Sequence, residues 1–229
     1  MAASPKEQLS ELEDELALLK AYPQEGLETI IREIGFSCTC CGKCCTKAFN
    51  GHVFLLSEDA NRLKSFSPES MIPAPDFPYS DPFGNFYVSG YALKTQENGD
   101  CVFLDENRRC KIYDQRFAIC RVYPYMLHRE PDARGKIDWR QISGLDEHGE
   151  YDCIISDEEC SRIAEETIVY ETAYLEQEIA FHKAILQKFS DEGIRFVRKD
   201  HDARVRAFLK TGKAKVFVWD GSGFVQEVL

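Results

Sequence analysis

The chain has 229 residues, 44% of them hydrophobic, and a formal net charge of -11 at pH 7. That size and composition can bury an ordinary core without disulfide staples. The negative charge, which no long Lys/Arg run overrides, sets the expectation of no nucleic-acid partner, since a phosphate backbone would be repelled.

No stretch approaches the roughly 18 apolar residues of a membrane-spanning helix. The opening MAASPKEQLSELEDELALLK is charged and helix-like rather than basic and then apolar. Neither membrane insertion nor a secretory leader is expected, and the cytoplasm is the expected compartment.

In chain order, Leu9, Leu12, Leu16, Leu18 and Leu19 recur among acidic neighbours and predict an amphipathic helix over 5–21, stopped by Pro23. A second short helix is predicted over 25–34, broken by Gly35. FSCTCCGKCC follows, too rich in Cys and Gly for regular structure, and reads as a metal-binding loop. HVFLL reads as a short strand, and SEDANRLKSF as a helix with Ser57 as N-cap. Five prolines interleaved with Phe77, Tyr79, Phe83 and Phe86 make 66–86 an ordered, irregular loop whose aromatics would be wasted in solvent.

VSGYAL and CVFLD have strand composition and NRRC reads as a turn, so a small hairpin is expected to bring Cys101 and Cys110 together. YDQRFAICRVY predicts a short helix leading to Pro124. From Ser156 to Phe189 the chain runs without Gly or Pro, with Ser156 three residues before Glu159 in a capping-box arrangement. Ile163, Tyr170, Tyr174, Phe181 and Ile185 mark the packed face of this long helix. AKVFVWD and FVQEVL, separated by GSG, predict a terminal hairpin.

These elements predict an α+β protein with a small irregular cysteine-rich metal-binding core and short strands. N-terminal helices and a long C-terminal helix brace it, and a terminal β-hairpin closes it. The expected divisions are a helical segment 1–35, a cysteine-cluster domain 36–160, and a helix and hairpin 161–229 packed on that domain as one structural unit.

All ten cysteines lie between Cys38 and Cys160. In a reducing compartment disulfides seldom persist, so a disulfide framework is disfavoured against metal binding. Scattered core thiols remain a bland alternative. Thiol redox chemistry of the thioredoxin kind would need a βαβ pattern, and none surrounds the CxxC elements.

The dense run is Cys38-x2-Cys41-x2-Cys44-Cys45, with Cys40 as an extra thiol. Two-residue spacing lets successive thiolates fold back to one centre, and Gly42 relieves crowding there. Adjacent Cys44 and Cys45 point apart in an extended stretch and suit two different metal atoms. Cys101, Cys110, Cys120, Cys153 and Cys160 follow. Setting aside Cys40 and Cys160 leaves enough thiolates for two four-thiolate centres, zinc or iron-sulfur.

Lys43, Arg108, Arg109, Lys111, Arg116 and Arg121 flank these thiols and are expected to offset thiolate charge, unless they are plain surface groups. None of His52, His128, His148, His182 and His201 sits at tight spacing from a cysteine. His128 is the best outsider, and His182 reads as a surface or packing residue of the long helix. Asp105, Asp114 and Asp157 have turn-like or cap-like surroundings, and no catalytic dyad emerges. Tyr113, Phe117, Tyr123, Tyr125 and Tyr151 are placed to exclude water from a metal centre, or simply to pack a core.

FSCTCCGKCC, then GHVFLLSEDANRL, then GDCVFLDENRRCKIYDQRFAICRVYPY together resemble the YkgJ-family cysteine-cluster proteins over about residues 36 to 125, with weaker similarity to about 160. The resemblance implies a zinc- or iron-chelating domain with the signature CxxCxxCC. It implies ligation by Cys38, Cys41, Cys44, Cys45, Cys101, Cys110 and Cys120, completed by one later cysteine. Cys153 is preferred there, because Cys160 falls inside the capped helix start. Cys40 is not a usual motif position, and Phe117 stands where the family usually has proline.

Some relatives look like flagellin lysine N-methylases, which keeps an accessory or enzymatic role of that type among the alternatives. The sequence itself carries no nucleotide fingerprint, and Gly221 to Gly223 reads as a hairpin turn. The leading expectation is an iron-sulfur protein with a redox or maturation role, an oxidoreductase if it is an enzyme, working with an unknown protein or redox partner. The alternative is a zinc-stabilised binding module.

Overall fold

A computed structural model describes residues 4–125 and 146–229, so His128 lies outside the described residues. The helices are α1 Pro5–Ala21, α2 Gln24–Ile34, α3 Lys47–Asn50, α4 Ser57–Lys64, α5 Ala118–Val122, α6 Asp157–Asp191 and α7 Arg198–Thr211. The strands are β1 Phe54–Leu55, β2 Met71–Pro73, β3 Tyr79–Ser80, β4 Phe86–Val88, β5 Tyr91–Leu93, β6 Lys215–Trp219 and β7 Phe224–Val228. This is an α+β protein with N-terminal helices, a long helix near the C-terminus and a terminal strand pair, as the sequence predicts. None of the described helices is long and apolar enough to cross a membrane.

The chain forms two compact units. One takes the described parts of Met1–Glu13, Phe54–Leu93 and Glu176–Leu229, and the other those of Asp14–Val53 and Lys94–Leu175. The first holds both sheets. β5 lies between β1 and β2 and is antiparallel to each, with Ala92 opposite Phe54 on one side and Ile72 on the other. The second sheet has the order β3-β4-β6-β7, and β4 pairs with β6 in parallel, Tyr87 opposite Phe217.

Tyr79, Tyr87, Phe181, Ile185 and Phe189 form the core of this unit, with Phe217 and Phe224 packed against it. Tyr87 stacks on Phe217 at 5.2 Å between ring centroids, an arrangement aromatic pairs favour. α7, which sequence periodicity did not bring out, lays Phe208 on Phe77 and Phe86.

Local chemistry corrects several expectations. Leu56, not Ser57, occupies the N-cap of α4, which has no side-chain cap. The Ser57 backbone N–H and hydroxyl both donate to Gln177 Oε1, at 2.8 and 2.9 Å. Gln177 is buried, and a buried amide needs its own partners. The 66–86 segment is less irregular than expected, since it contributes β2, β3 and the start of β4. Phe83 is 84% exposed rather than buried. It stands in a turn closed by the buried Asp81 carboxylate, which accepts from the Phe83 and Asn85 backbone N–H groups.

In the second unit CVFLD forms no strand. One isolated pairing, Leu104 with Cys110, is all that remains of the expected hairpin. The Asp105 carboxylate drives that turn instead, accepting from Asn107 and Arg109 N–H at 2.9 and 2.7 Å. The helix expected over 113–123 splits into a short turn, Tyr113–Gln115, and α5. Between them Arg116 and Phe117 are extended, with ψ of 149° and 159°.

α6 begins as expected, with the Ser156 hydroxyl accepting Glu159 N–H at 3.2 Å. Its buried face in this unit adds Cys160, Ala164, Thr167, Glu171 and Leu175 to the aromatic positions anticipated. Thr167 folds its hydroxyl back onto the Ile163 carbonyl, which lets a polar residue sit fully buried there.

Candidate metal centre

All ten cysteines belong to the second unit and all are free thiols. Close backbone approaches assemble their segments. α2 ends at Gly35 in the left-handed region, φ 55°, with its N–H on the Ile31 carbonyl. Here the chain meets residues 150–153. Ser37 and Glu150 exchange backbone hydrogen bonds at 2.8 and 2.9 Å, and Cys153 N–H donates to the Gly35 carbonyl at 2.9 Å.

The loop then turns at Gly42, φ 70°, where a Cβ would press at 3.1 Å on the Arg108 carbonyl oxygen. The Arg108 guanidinium donates to the Cys41 and Gly42 carbonyls at 3.2 and 3.0 Å, tying the Asp105–Arg109 turn to the cysteine loop. Cys101 N–H donates to the Cys45 carbonyl at 2.8 Å, which sets those two residues side by side. Gln96 Nε2 donates to the Cys101 and Leu104 carbonyls, and Asn50 Nδ2 to the Cys44 carbonyl. Spacing carries no sign of these two amides, because a polar clamp on a carbonyl leaves no periodic trace.

The thiols reached this way feel one another. Cys101 is pushed up to about 11, by burial first and then by Cys45 and Cys110. Burial raises Cys110 as well, with Cys45 and Cys40 adding to the effect. Cys120 is raised by burial, then by Cys101, Cys45 and Cys110. Cys45, Cys101, Cys110 and Cys120 thus form a quartet in which every pair interacts.

Cys45 is held below the ordinary thiol range, chiefly by a hydrogen bond from the adjacent Cys44 and then by the Arg108 and Arg116 guanidiniums. Cys44 is raised correspondingly, and it also senses Cys38 and Cys120. Mutual repulsion of this kind marks thiols that one centre could gather, since thiolates repel until a cation sits among them.

The remaining cysteines have other surroundings. Cys41 is lowered by the Lys43 backbone N–H, and also by Gly149. Cys40 has a left-handed backbone, φ 54°, and its N–H donates to Cys38 Sγ at 3.4 Å. Cys153 Sγ lies 3.8 Å from the Tyr151 carbonyl. Cys160 is fully buried in α6 and is raised by burial, with Arg32 opposing. Among the described residues no three His, Cys, Asp or Glu side chains form a ready-made ligand set. The quartet is therefore a neighbourhood of thiols rather than a finished coordination sphere.

The family scan matches a model named CxxCxxCC, described as "Putative zinc- or iron-chelating domain", over residues 37–160, more than half of the chain and the span of every cysteine. The chain belongs to the CxxCxxCC family. Its cysteine region is that family's metal-binding domain, of the zinc- or iron-chelating kind. No curated protein and no solved structure matches the chain.

Of the six flanking cations of this CxxCxxCC domain, Arg108 and Arg116 act on the thiols. Arg116 opposes the upward shifts of Cys110 and Cys120 and lowers Cys45. Lys43 pairs with Glu147 at 3.4 Å and Arg121 with Glu166 at 3.8 Å, so these two serve local packing.

The aromatic group divides. Tyr113 receives the Arg116 guanidinium on its ring at 3.9 Å and is pushed up to about 12, by burial and then by Cys38. Phe117 is fully buried, 6.2 Å from Phe103. Phe36, Phe49 and Tyr123 surround His148, Tyr151 packs on Phe36, and the Tyr125 hydroxyl accepts Phe36 N–H at 3.2 Å. His148 thus stands in an aromatic box, while His182 and His201 belong to the other unit. Gly221 to Gly223 form the β6–β7 turn, as expected.

Proposed function

We propose that this CxxCxxCC domain holds an iron-sulfur cluster, with Cys45, Cys101, Cys110 and Cys120 as one four-thiolate set, and serves a redox or maturation role in a reducing cytoplasm. The carrying observation is the quartet itself, four thiols from three separate segments in which Cys120 is raised by the other three, and Cys45 acts on both Cys101 and Cys110. The donors are all sulfur, and the cations beside them are Arg108 and Arg116. Such a set fits a thiophilic metal, and the compensating charge suits an anionic thiolate cluster.

Cys38, Cys41, Cys44 and Cys153 are the candidates for a second set. The vicinal Cys44–Cys45 pair favours two centres, because each of the two residues can then serve its own. When bound, a cluster would supply one-electron transfer at a potential tuned by the surrounding burial and hydrogen bonds. The residues of the chain would hold it, balance its charge through Arg108 and Arg116, and shield it with Tyr113 and Phe117.

The quartet also favours a second reading, zinc, since four thiolates complete a tetrahedral site and a bound zinc would contribute folding free energy. Anaerobic purification with elemental and sulfide analysis separates the two. Iron with matching acid-labile sulfide, and a brown colour bleached by dithionite, supports the cluster. Colourless protein with stoichiometric zinc supports the second reading, and protein that takes up neither metal overturns both.

A further inference from the structure

The charge of this chain is unevenly placed. Residues 194–215 carry eight Lys/Arg against Asp200 and Asp202, a local charge of +6 within a chain of -11. The cations do not form a run. Five of them, Arg198, Lys199, Arg204, Arg206 and Lys210, lie in α7.

α7 turns His201, 3% exposed, and Phe208 inward, where Phe208 meets the Phe77 and Phe86 rings at 5.0 and 5.9 Å. At 3.6 residues per turn, Lys199, Ala203, Arg206 and Lys210 share a single stripe on the side opposite. All four are exposed. Among the described residues the ion pair of α7 is Arg198 with Asp202, off this stripe, and Lys199, Arg206 and Lys210 have none. Ala203 lies between the cations and leaves room for the backbone of another helix.

The same spacing recurs with the opposite sign on α1. Glu7, Glu11, Asp14 and Leu18 are all exposed and follow one another at the intervals of the α7 stripe. Glu11 and Asp14 have no ion pair among the described residues. Laid antiparallel, the two stripes set Glu7 against Lys210 and Glu11 against Arg206. Asp14 then falls at the level of Ala203, with Lys199 and Arg206 on either side, and antiparallel helices also align their dipoles favourably.

We propose that the outward face of α7 docks the acidic face of α1 from a second copy of this chain. Exposed ion pairs are individually weak and screened by salt, so the association is weak and confined to low ionic strength. Other polyanions fit less well. The stripe offers no aromatic ring for stacking a base, and the acidic remainder of the chain opposes an extended phosphate backbone. Nor does it offer an apolar anchor for a bilayer, since the exposed Leu209 lies off the stripe.

Sedimentation velocity of the purified full chain tests this directly. Self-association is expected at about 20 mM salt and is expected to vanish by about 300 mM. Two charge reversals supply the decisive arm, Arg206→Glu with Lys210→Glu in one chain and Glu11→Lys with Asp14→Lys in another. Each variant alone is expected to be monomeric at low salt with an unchanged far-UV circular dichroism spectrum. An equimolar mixture is expected to associate again, because both α1–α7 contacts then join opposite charges.

A wild-type chain monomeric at low salt, or a mixture that fails to associate, overturns the proposal. So does binding to duplex DNA or to phosphatidylserine vesicles that is tighter than self-association and lost in the α7 variant.

Discussion

Gly35 and Cys153 approach so closely that a Cβ on Gly35 would lie 2.4 Å from the Cys153 carbonyl oxygen and 2.6 Å from its nitrogen. Backbone atoms cannot swing aside as a side chain can, and Gly35 also sits at φ +55°. Gly35→Ala should therefore cost about 2 to 4 kcal/mol, combining left-handed strain with overpacking. Gly99 is the control. It too has a positive φ, but its Cβ would meet only the Lys47 Cβ at 3.6 Å. Gly99→Ala should cost about 1 to 2 kcal/mol. Urea unfolding that finds the two variants equally stable would remove the Gly35–Cys153 contact as a determinant of this fold.

The thiol quartet predicts an order among cysteine substitutions. Cys45→Ser, Cys101→Ser, Cys110→Ser and Cys120→Ser should each reduce bound metal severely, because each removes one of four mutually interacting donors. Cys160→Ser should leave metal content unchanged, since that thiol is buried in α6 beside Arg32. Elemental analysis of the purified variants reads the outcome. Loss of metal in Cys160→Ser with retention in the quartet variants would reverse the assignment.

How much of this was legible in the sequence varies with the physics behind each feature. α1, α2 and α6 announce themselves through periodicity, a stop at Pro23 or Gly35, and a cap at Ser156. The terminal hairpin is equally plain, because the turn and both strands are local. The parallel pairing of β4 with β6 is not, as it joins residues distant in the chain and no local pattern encodes a partner. α7 was hidden by its composition, since its buried side is carried by a histidine and one phenylalanine among cations.

At the candidate site the spacing marked the cysteine loop but not which thiols keep company. That depends on Arg108, Gln96 and the Asp105 turn, which bring Cys101 and Cys110 to Cys45 through backbone contacts.

Phe117 occupies the start of α5 with φ of -66°, the angle a proline ring would impose, so the backbone there accepts the residue that the resemblance implies. Its side chain has a separate role. It is 1% exposed and packs beside Phe103. Phe117→Ala should therefore destabilise the cysteine unit by about 3 to 5 kcal/mol, a transfer loss plus a cavity. Thermal unfolding checks this, and a change in melting temperature of only a degree or two would show that the ring is not part of a packed core.

Acid should weaken the sheet unit through its buried histidines. His182 and His201 are both lowered, chiefly by burial, which disfavours the imidazolium. Around His182 the Glu178 carbonyl lies 2.8 Å from Nδ1 and the Glu178 carboxylate 3.9 Å away. Neither offsets the desolvation. Around His201, Arg198 and Arg204 add to the lowering and Asp202 opposes it, while Nδ1 lies 3.0 Å from the Ser80 hydroxyl.

With the folded pKa below the unfolded value of about 6.5, the unfolded chain binds more protons as pH falls through that value. The stability contributed by the neutral rings is thus complete above about pH 6.5. It declines as the unfolded histidines protonate, and the decline ends only below the depressed folded pKa. The urea midpoint should fall between pH 7.5 and 5, and His182→Gln should show a smaller fall than the wild type, because carboxylates titrate alike in both. Equal falls in the two proteins would mean that the His182 ring gains its proton as freely in the folded chain as in the unfolded one.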